Sequence, residues 1–126
     1  MGFRIRNIGI DTNDVDRTVA FWQAATGYVE RARISDYVLL ADPDGQGANV
    51  LVQQVPERRS GKNRLHLDLA VDDVDTASET LVGLGATRLR RFDEPGDTWV
   101  VLTDPDGNEF CVCQNEPKIP GPDVCP

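Results

Sequence analysis

The sequence predicts an α+β protein built as two βαβββ modules. An internal repeat carries most of this reading, because a repeat decides architecture before any motif does. Asn7-Ile-Gly-Ile-Asp-Thr-Asn-Asp-Val-Asp16 overlays His66-Leu-Asp-Leu-Ala-Val-Asp-Asp-Val-Asp75 at an offset of 59 residues. Val38-Leu-Leu-Ala-Asp-Pro-Asp-Gly45 overlays Val100-Val-Leu-Thr-Asp-Pro-Asp-Gly107 at 62, a drift that short loop insertions produce. The second observation is that hydrophobic periodicity switches from two to helical spacing at the same point of each copy. The third is the Asp-Pro-Asp-Gly turn before the last strand of each.

Taken in order, Ile5 to Asp11 and Leu65 to Val71 alternate, so each reads as a half-buried strand. Asp14 and Asp73 are good helix N-caps. Apolar positions then follow helical spacing: Val15, Val19 and Trp22 in the first copy, and Val74, Ala77, Leu81 and Leu84 in the second. Gly27 and Gly85 are left-handed C′ stops. Tyr37 to Leu40 and Trp99 to Leu102 read as strands running into Asp-Pro-Asp-Gly, a type I turn with proline at its second position. Asn49 to Gln54 and Glu109 to Gln114 are the last strands. Neither half of about 60 residues buries much core alone, so the two are expected to pair. The modules span residues 4–54 and 64–115 of a single domain at 4–115, with a polar connection at 55–63 and a proline-punctuated tail at 116–126.

Composition narrows the function. At 126 residues the chain has room for one ordinary domain, and 40% hydrophobic with 27% charged residues is neither a disordered tail nor a membrane protein. No apolar run approaches the roughly 18 residues of a membrane span. A net charge of −8 repels phosphate backbones and anionic lipid, which argues against nucleic-acid and membrane partners. Three cysteines, an odd number crowded toward the C-terminus, and an N-terminus without an apolar signal segment fit a reducing cytoplasm.

With strand, Asp-capped helix and Asp-Pro-Asp-Gly in both copies, the chain resembles the vicinal oxygen chelate superfamily of glyoxalase I, bleomycin-resistance proteins and extradiol dioxygenases. Lys62-Asn-Arg-Leu-His-Leu-Asp68 and Asp104-Pro-Asp-Gly-Asn-Glu-Phe-Cys111 look most like its glyoxalase-like subgroup. The resemblance implies that the two modules' sheets curl around a cleft. It also implies that metal-using members place one ligand on the first and last strand of each module, and that small two-module relatives form homodimers. It fixes no single chemistry, since one fold hosts many.

Alternation indicates which side chains face such a cleft. If Ile8 and Ile10 pack under the helix, Asn7, Gly9 and Asp11 point away. If Leu65, Leu67 and Leu69 do, then Arg64, His66 and Asp68 point away. By the same rule Phe110 and Val112 leave Glu109, Cys111 and Cys113, while Val50 and Val52 leave Asn49, Leu51 and Gln53. The family's ligand positions read Asn7, Leu51, His66 and Cys111, so only His66 is of the usual type. Gln53, two residues along, replaces Leu51 only with a register shift. A divalent ion (Zn, Ni, Mn or Fe) on His66, Cys111, Gln53 and Asn7 is one outcome; the other is no tightly bound metal, with His66 bonded to Asp68 or Arg64 and Cys111 packed as a small apolar residue.

His66 with Cys111 is also a thiolate–imidazolium pair in prospect, lacking an orienting third residue that sequence can name. Cys111 and Cys113 are expected as buried thiols outside a disulfide, and Cys125 as an incidental exposed one. Asp11 and Asp68 are general acid/base candidates beside His66. Tyr37 and Trp99, at matching positions, are aromatic walls for a flat ligand or else core. Asn7, Tyr37, Gln53, Arg64, His66, Trp99 and Cys111 are the ligand-binding candidates. The expected function is binding of a small organic molecule by a protein with a degenerate metal site; the alternative is a metal-dependent lyase, isomerase or dioxygenase.

Overall fold

Two units built in the same order divide the chain between Arg59 and Ser60 in a computed structural model, which describes residues 5–61, 63, 65–95 and 97–114. The first unit runs β1 (Asn7–Thr12), α1 (Val15–Thr26), β2 (Val29–Ile34), β3 (Tyr37–Ala41) and β4 (Asn49–Gln54). The second runs β5 (Leu67–Val71), α2 (Val74–Leu84), β6 (Thr87–Glu94), β7 (Asp97–Thr103) and β8 (Glu109–Gln114). Each is βαβββ. The strand orders are β1-β4-β3-β2 and β5-β8-β7-β6, two open four-stranded mixed sheets. In each, the first and last strands of the module pair in parallel and the other pairs are antiparallel.

The helices begin where carboxylates can cap them. Asp14 accepts a hydrogen bond from the Arg17 amide at 3.1 Å, and Asp73 accepts from the amides of Asp75 and Thr76 at 2.9 and 3.2 Å. Gly27 (φ 78°) and Gly85 (φ 121°) end them in backbone that side chains rarely adopt. Gly27 lies in the left-handed helical region, whereas Gly85 lies outside it. Val19 and Trp22 are buried under α1, as are Thr18 and Phe21, whose ring meets Trp22 edge-on at 5.1 Å. Val74 and Leu81 are buried on α2, but Leu84 is 39% exposed, so the expected stripe ends one turn early.

The alternation of the last strands holds: Val50, Val52, Phe110 and Val112 are all buried, facing the helix side. Two expectations fail at the strand starts. Ile5 and Leu65 are 78% and 88% exposed, and the ladders begin at Asn7 and Leu67. Alternation alone does not end where hydrogen bonding ends, so the pattern overran the strands by two residues. Strands β2 and β6, which the βαβββ order requires, are largely exposed sheet edges and have no apolar alternation to mark them.

Both Asp-Pro-Asp-Gly segments turn as expected, with the Gly45 amide donating to the Asp42 carbonyl at 3.0 Å and the Gly107 amide to that of Asp104 at 2.9 Å. Among the described residues no helix is long and apolar enough to cross a membrane.

Candidate functional site

The second unit carries a cavity of about 310 Å³ on the sheet face opposite α2. Its composition follows from the ladder. Trp99 pairs with Cys113 and with Phe92, and Val101 pairs with Cys111, so these side chains share one face of β6, β7 and β8. Phe92 stacks on Trp99 with centroids 5.0 Å apart and planes 16° from parallel. Arg90, two residues before Phe92 on the same face, holds its guanidinium carbon 5.7 Å from the Phe92 ring centre and a nitrogen 4.0 Å from Glu109. Glu94 continues that face, so the cavity has an apolar floor and a rim of mixed charge.

His66, just before β5, lines the cavity, and Asp68 on β5 stands beside it. His66 Nε2 is 3.2 Å from Asp68 Oδ1. Asp68 lies directly opposite Cys111 in the parallel β5–β8 ladder. One ring nitrogen of His66, one carboxylate oxygen of Asp68 and Cys111 Sγ therefore lie within 4.8 Å of one another. Desolvation raises the pKa of Asp68 above its usual range, and the neighbouring His66 works against that rise. Cys111 is buried at 2% exposure yet lines the cavity. Cys113, expected as a thiol outside a disulfide, is disulfide-bonded instead.

Asn63 holds this edge in place. Its Oδ1 accepts from the Glu109 amide at 3.0 Å, and its Nδ2 donates to the carbonyls of Leu65 and Glu109. The segment entering β5 is thereby tied to the first residue of β8 before the ladder itself begins, which sets where His66 stands.

The corresponding positions of the first unit carry different chemistry. The row Asp68, Cys111, Val101 of the second sheet is matched by Gly9, Leu51, Leu39 in the first. Tyr37, Gln53 and Asp11 form the next row, aligned on one face and exposed. Asn7 Oδ1 accepts from Asn49 Nδ2 at 3.3 Å. Of the sequence candidates, His66, Asp68, Cys111 and Trp99 thus gather in the second unit, while Asn7, Asp11, Tyr37 and Gln53 lie in the first. Arg64, Cys125 and the tail at 116–126 lie outside the described residues. Sequence reasoning missed Asn63, Arg90, Phe92 and Glu94. For the last three the signal was present, since residues 90, 92 and 94 are spaced by two.

The family profile described as a glyoxalase-like domain matches residues 7–113. The chain belongs to the glyoxalase-like domain family. That places it in the vicinal oxygen chelate superfamily. Among solved structures it is similar to a fosfomycin resistance protein, FosX, from Listeria monocytogenes, with a TM-score of 0.77 and 17% identity over 92% of this chain and 96% of that one. A glyoxalase/bleomycin resistance protein/dioxygenase family enzyme from Burkholderia phytofirmans PsJN gives 0.76 and 20% identity over 89% and 98%. The trypanothione-dependent glyoxalase I of Leishmania major gives 0.71 and 17% over 90% and 88%. At these identities the likeness shows the fold. No curated protein sequence matches the chain.

The four-donor metal set that the family resemblance implies does not fit the residues here. Two of its four donors would come from the first unit, where Leu51 is aliphatic and stands opposite Gly9, and where Asn7 offers a neutral amide already bonded to Asn49.

Proposed function

We propose that this glyoxalase-like protein binds a small, partly planar organic molecule in the cavity of its second unit, and that sequestration is its role. The observation that supports this most is the combination of a stacked Phe92–Trp99 wall with convergent polar groups at His66, Arg90 and Glu109 around about 310 Å³, the lower end of ligand-pocket sizes. Glu94 and Glu109 outnumber the single guanidinium of Arg90 on the rim, which favours a neutral or cationic ligand over a small anion. The chain is read as a homodimer, in keeping with its family resemblance, and as cytoplasmic from its cysteine content and N-terminus, a reading against which the Cys113 disulfide counts.

The test is quenching of tryptophan fluorescence, with calorimetry, across planar compounds of positive, zero and negative charge. Saturable binding of neutral or cationic members that weakens in Phe92→Leu supports the reading. Preference for anions, or binding indifferent to Phe92, overturns it. A metal-dependent lyase, isomerase or dioxygenase is the weaker reading, because it needs the four-donor set that Leu51 interrupts.

A further inference from the structure

Three of the site candidates form a trio of their own. A thiol lines the floor of the cavity at Cys111, an imidazole stands beside it at His66, and a carboxylate at Asp68 holds that imidazole at 3.2 Å. Asp68 is the orienting third residue that the sequence alone does not identify. Asp68 and Cys111 come from the two strands whose parallel register sets them opposite each other, and His66 immediately precedes the first residue of that ladder, so the spacing of the carboxylate and the thiol is built into backbone hydrogen bonding.

We propose that Cys111 captures a small planar α,β-unsaturated carbonyl compound covalently, with His66 as the base and Asp68 as its positioning residue. This rests on the ligand-binding reading above. The thiol proton passes to the His66 imidazole, and Asp68 stabilises the imidazolium. The thiolate sulfur forms a bond to the β-carbon, and the π electrons of the C=C bond move to the enolate. The imidazolium then returns its proton to the α-carbon. The product is a thioether, with no leaving group and no change in the net oxidation level of the pair. Arg90, with donors on the cavity rim, is placed to meet the carbonyl oxygen as charge develops on it. Phe92 and Trp99 supply the flat wall against which a conjugated ligand lies.

The experiment uses the full chain with benzylideneacetone as electrophile and benzylacetone, its saturated counterpart, as a binding-only control. Intact mass spectrometry followed by peptide mapping should find one adduct, on Cys111, formed at least ~100-fold faster than the same reagent modifies glutathione. Cys111→Ser should abolish it. At saturating benzylideneacetone, His66→Gln should slow it by roughly 100-fold and Asp68→Asn by about 10-fold, with unchanged thermal melting. The rate should be the same in excess chelator. If benzylacetone binds but Cys111 reacts no faster than glutathione, covalent capture is wrong and ligand binding stands. If the rate survives His66→Gln, or falls in chelator, the trio does not act as described. If neither compound binds, both readings fail for this ligand class.

Discussion

Asp68 and Cys111 face each other across the parallel β5–β8 ladder, and their counterparts across β1–β4 are Gly9 and Leu51. Two ladders of the same register therefore carry different chemistry. The second unit has a carboxylate and a thiol where the first has a hydrogen and an isobutyl group. That asymmetry governs what each half can do.

It first predicts the metal content. Protein purified without a histidine tag should carry no stoichiometric first-row metal, and added Zn should bind weakly, because Leu51 and Asn7 replace half of the family's donors. Elemental analysis showing one tightly held ion per chain, lost in His66→Ala, would reverse this.

A second prediction concerns the clamp at the entry to β5. Asn63→Ala removes the acceptor for the Glu109 amide and should cost about 1 kcal/mol in urea denaturation. Hydrogen exchange at Glu109 should rise, and ligand affinity should fall, since His66 is then no longer tied in place. An affinity unaffected by the substitution would show that β5 positions His66 without Asn63.

The two Asp-Pro-Asp-Gly turns should respond to pH in opposite directions. Asp42 is half-buried and accepts from the amides of Asp44, Gly47 and Gln46, which hold its pKa below the ordinary carboxylate value. Its contribution is present above the ordinary value and is lost as pH falls toward the lowered one. Asp104 is buried at 2% exposure, and desolvation raises its pKa despite bonds from Asn108 and Asp106. Stability linked to it is present below about pH 4 and declines as pH rises through the raised value. Urea titrations from about pH 3 to 6.5 should show Asp42→Asn losing the acid-side slope and Asp104→Asn losing the decline above it. Slopes of the same sign in both variants would refute the contrast.

Trp99 is 4% exposed and stacked on Phe92, so Trp99→Ala should destabilise the protein by about 3–5 kcal/mol. Binding is better tested at the half-buried Phe92, where Phe92→Leu should weaken affinity roughly threefold to tenfold, the worth of an aromatic contact beyond its area. Calorimetric melting and fluorescence titration separate the two effects. Equal losses of affinity and stability at both positions would assign Phe92 to packing alone.

Light scattering at micromolar concentration should give twice the 13.9 kDa chain mass, as expected of a homodimer. A value equal to one chain excludes it.

The sequence by itself determined the repeat, the βαβββ order, both helix starts and both Asp-Pro-Asp-Gly turns. Each depends on interactions within a few residues: a carboxylate reaching amides two or three positions on, a proline fixing φ, or a period that places apolar side chains on one face. Alternation also put His66, Asp68 and Cys111 on the face away from the helix. Only the tertiary structure decided which candidates meet. Strand pairing brings residue 68 to residue 111 and residue 92 to residue 99, and that register is a property of two strands together. The edge strand β6 illustrates the limit. Arg90, Phe92 and Glu94 have the spacing of one strand face, yet with little of β6 buried there is no hydrophobic pattern to show that the strand exists, and its contribution to the cavity emerges only when β7 pairs with it.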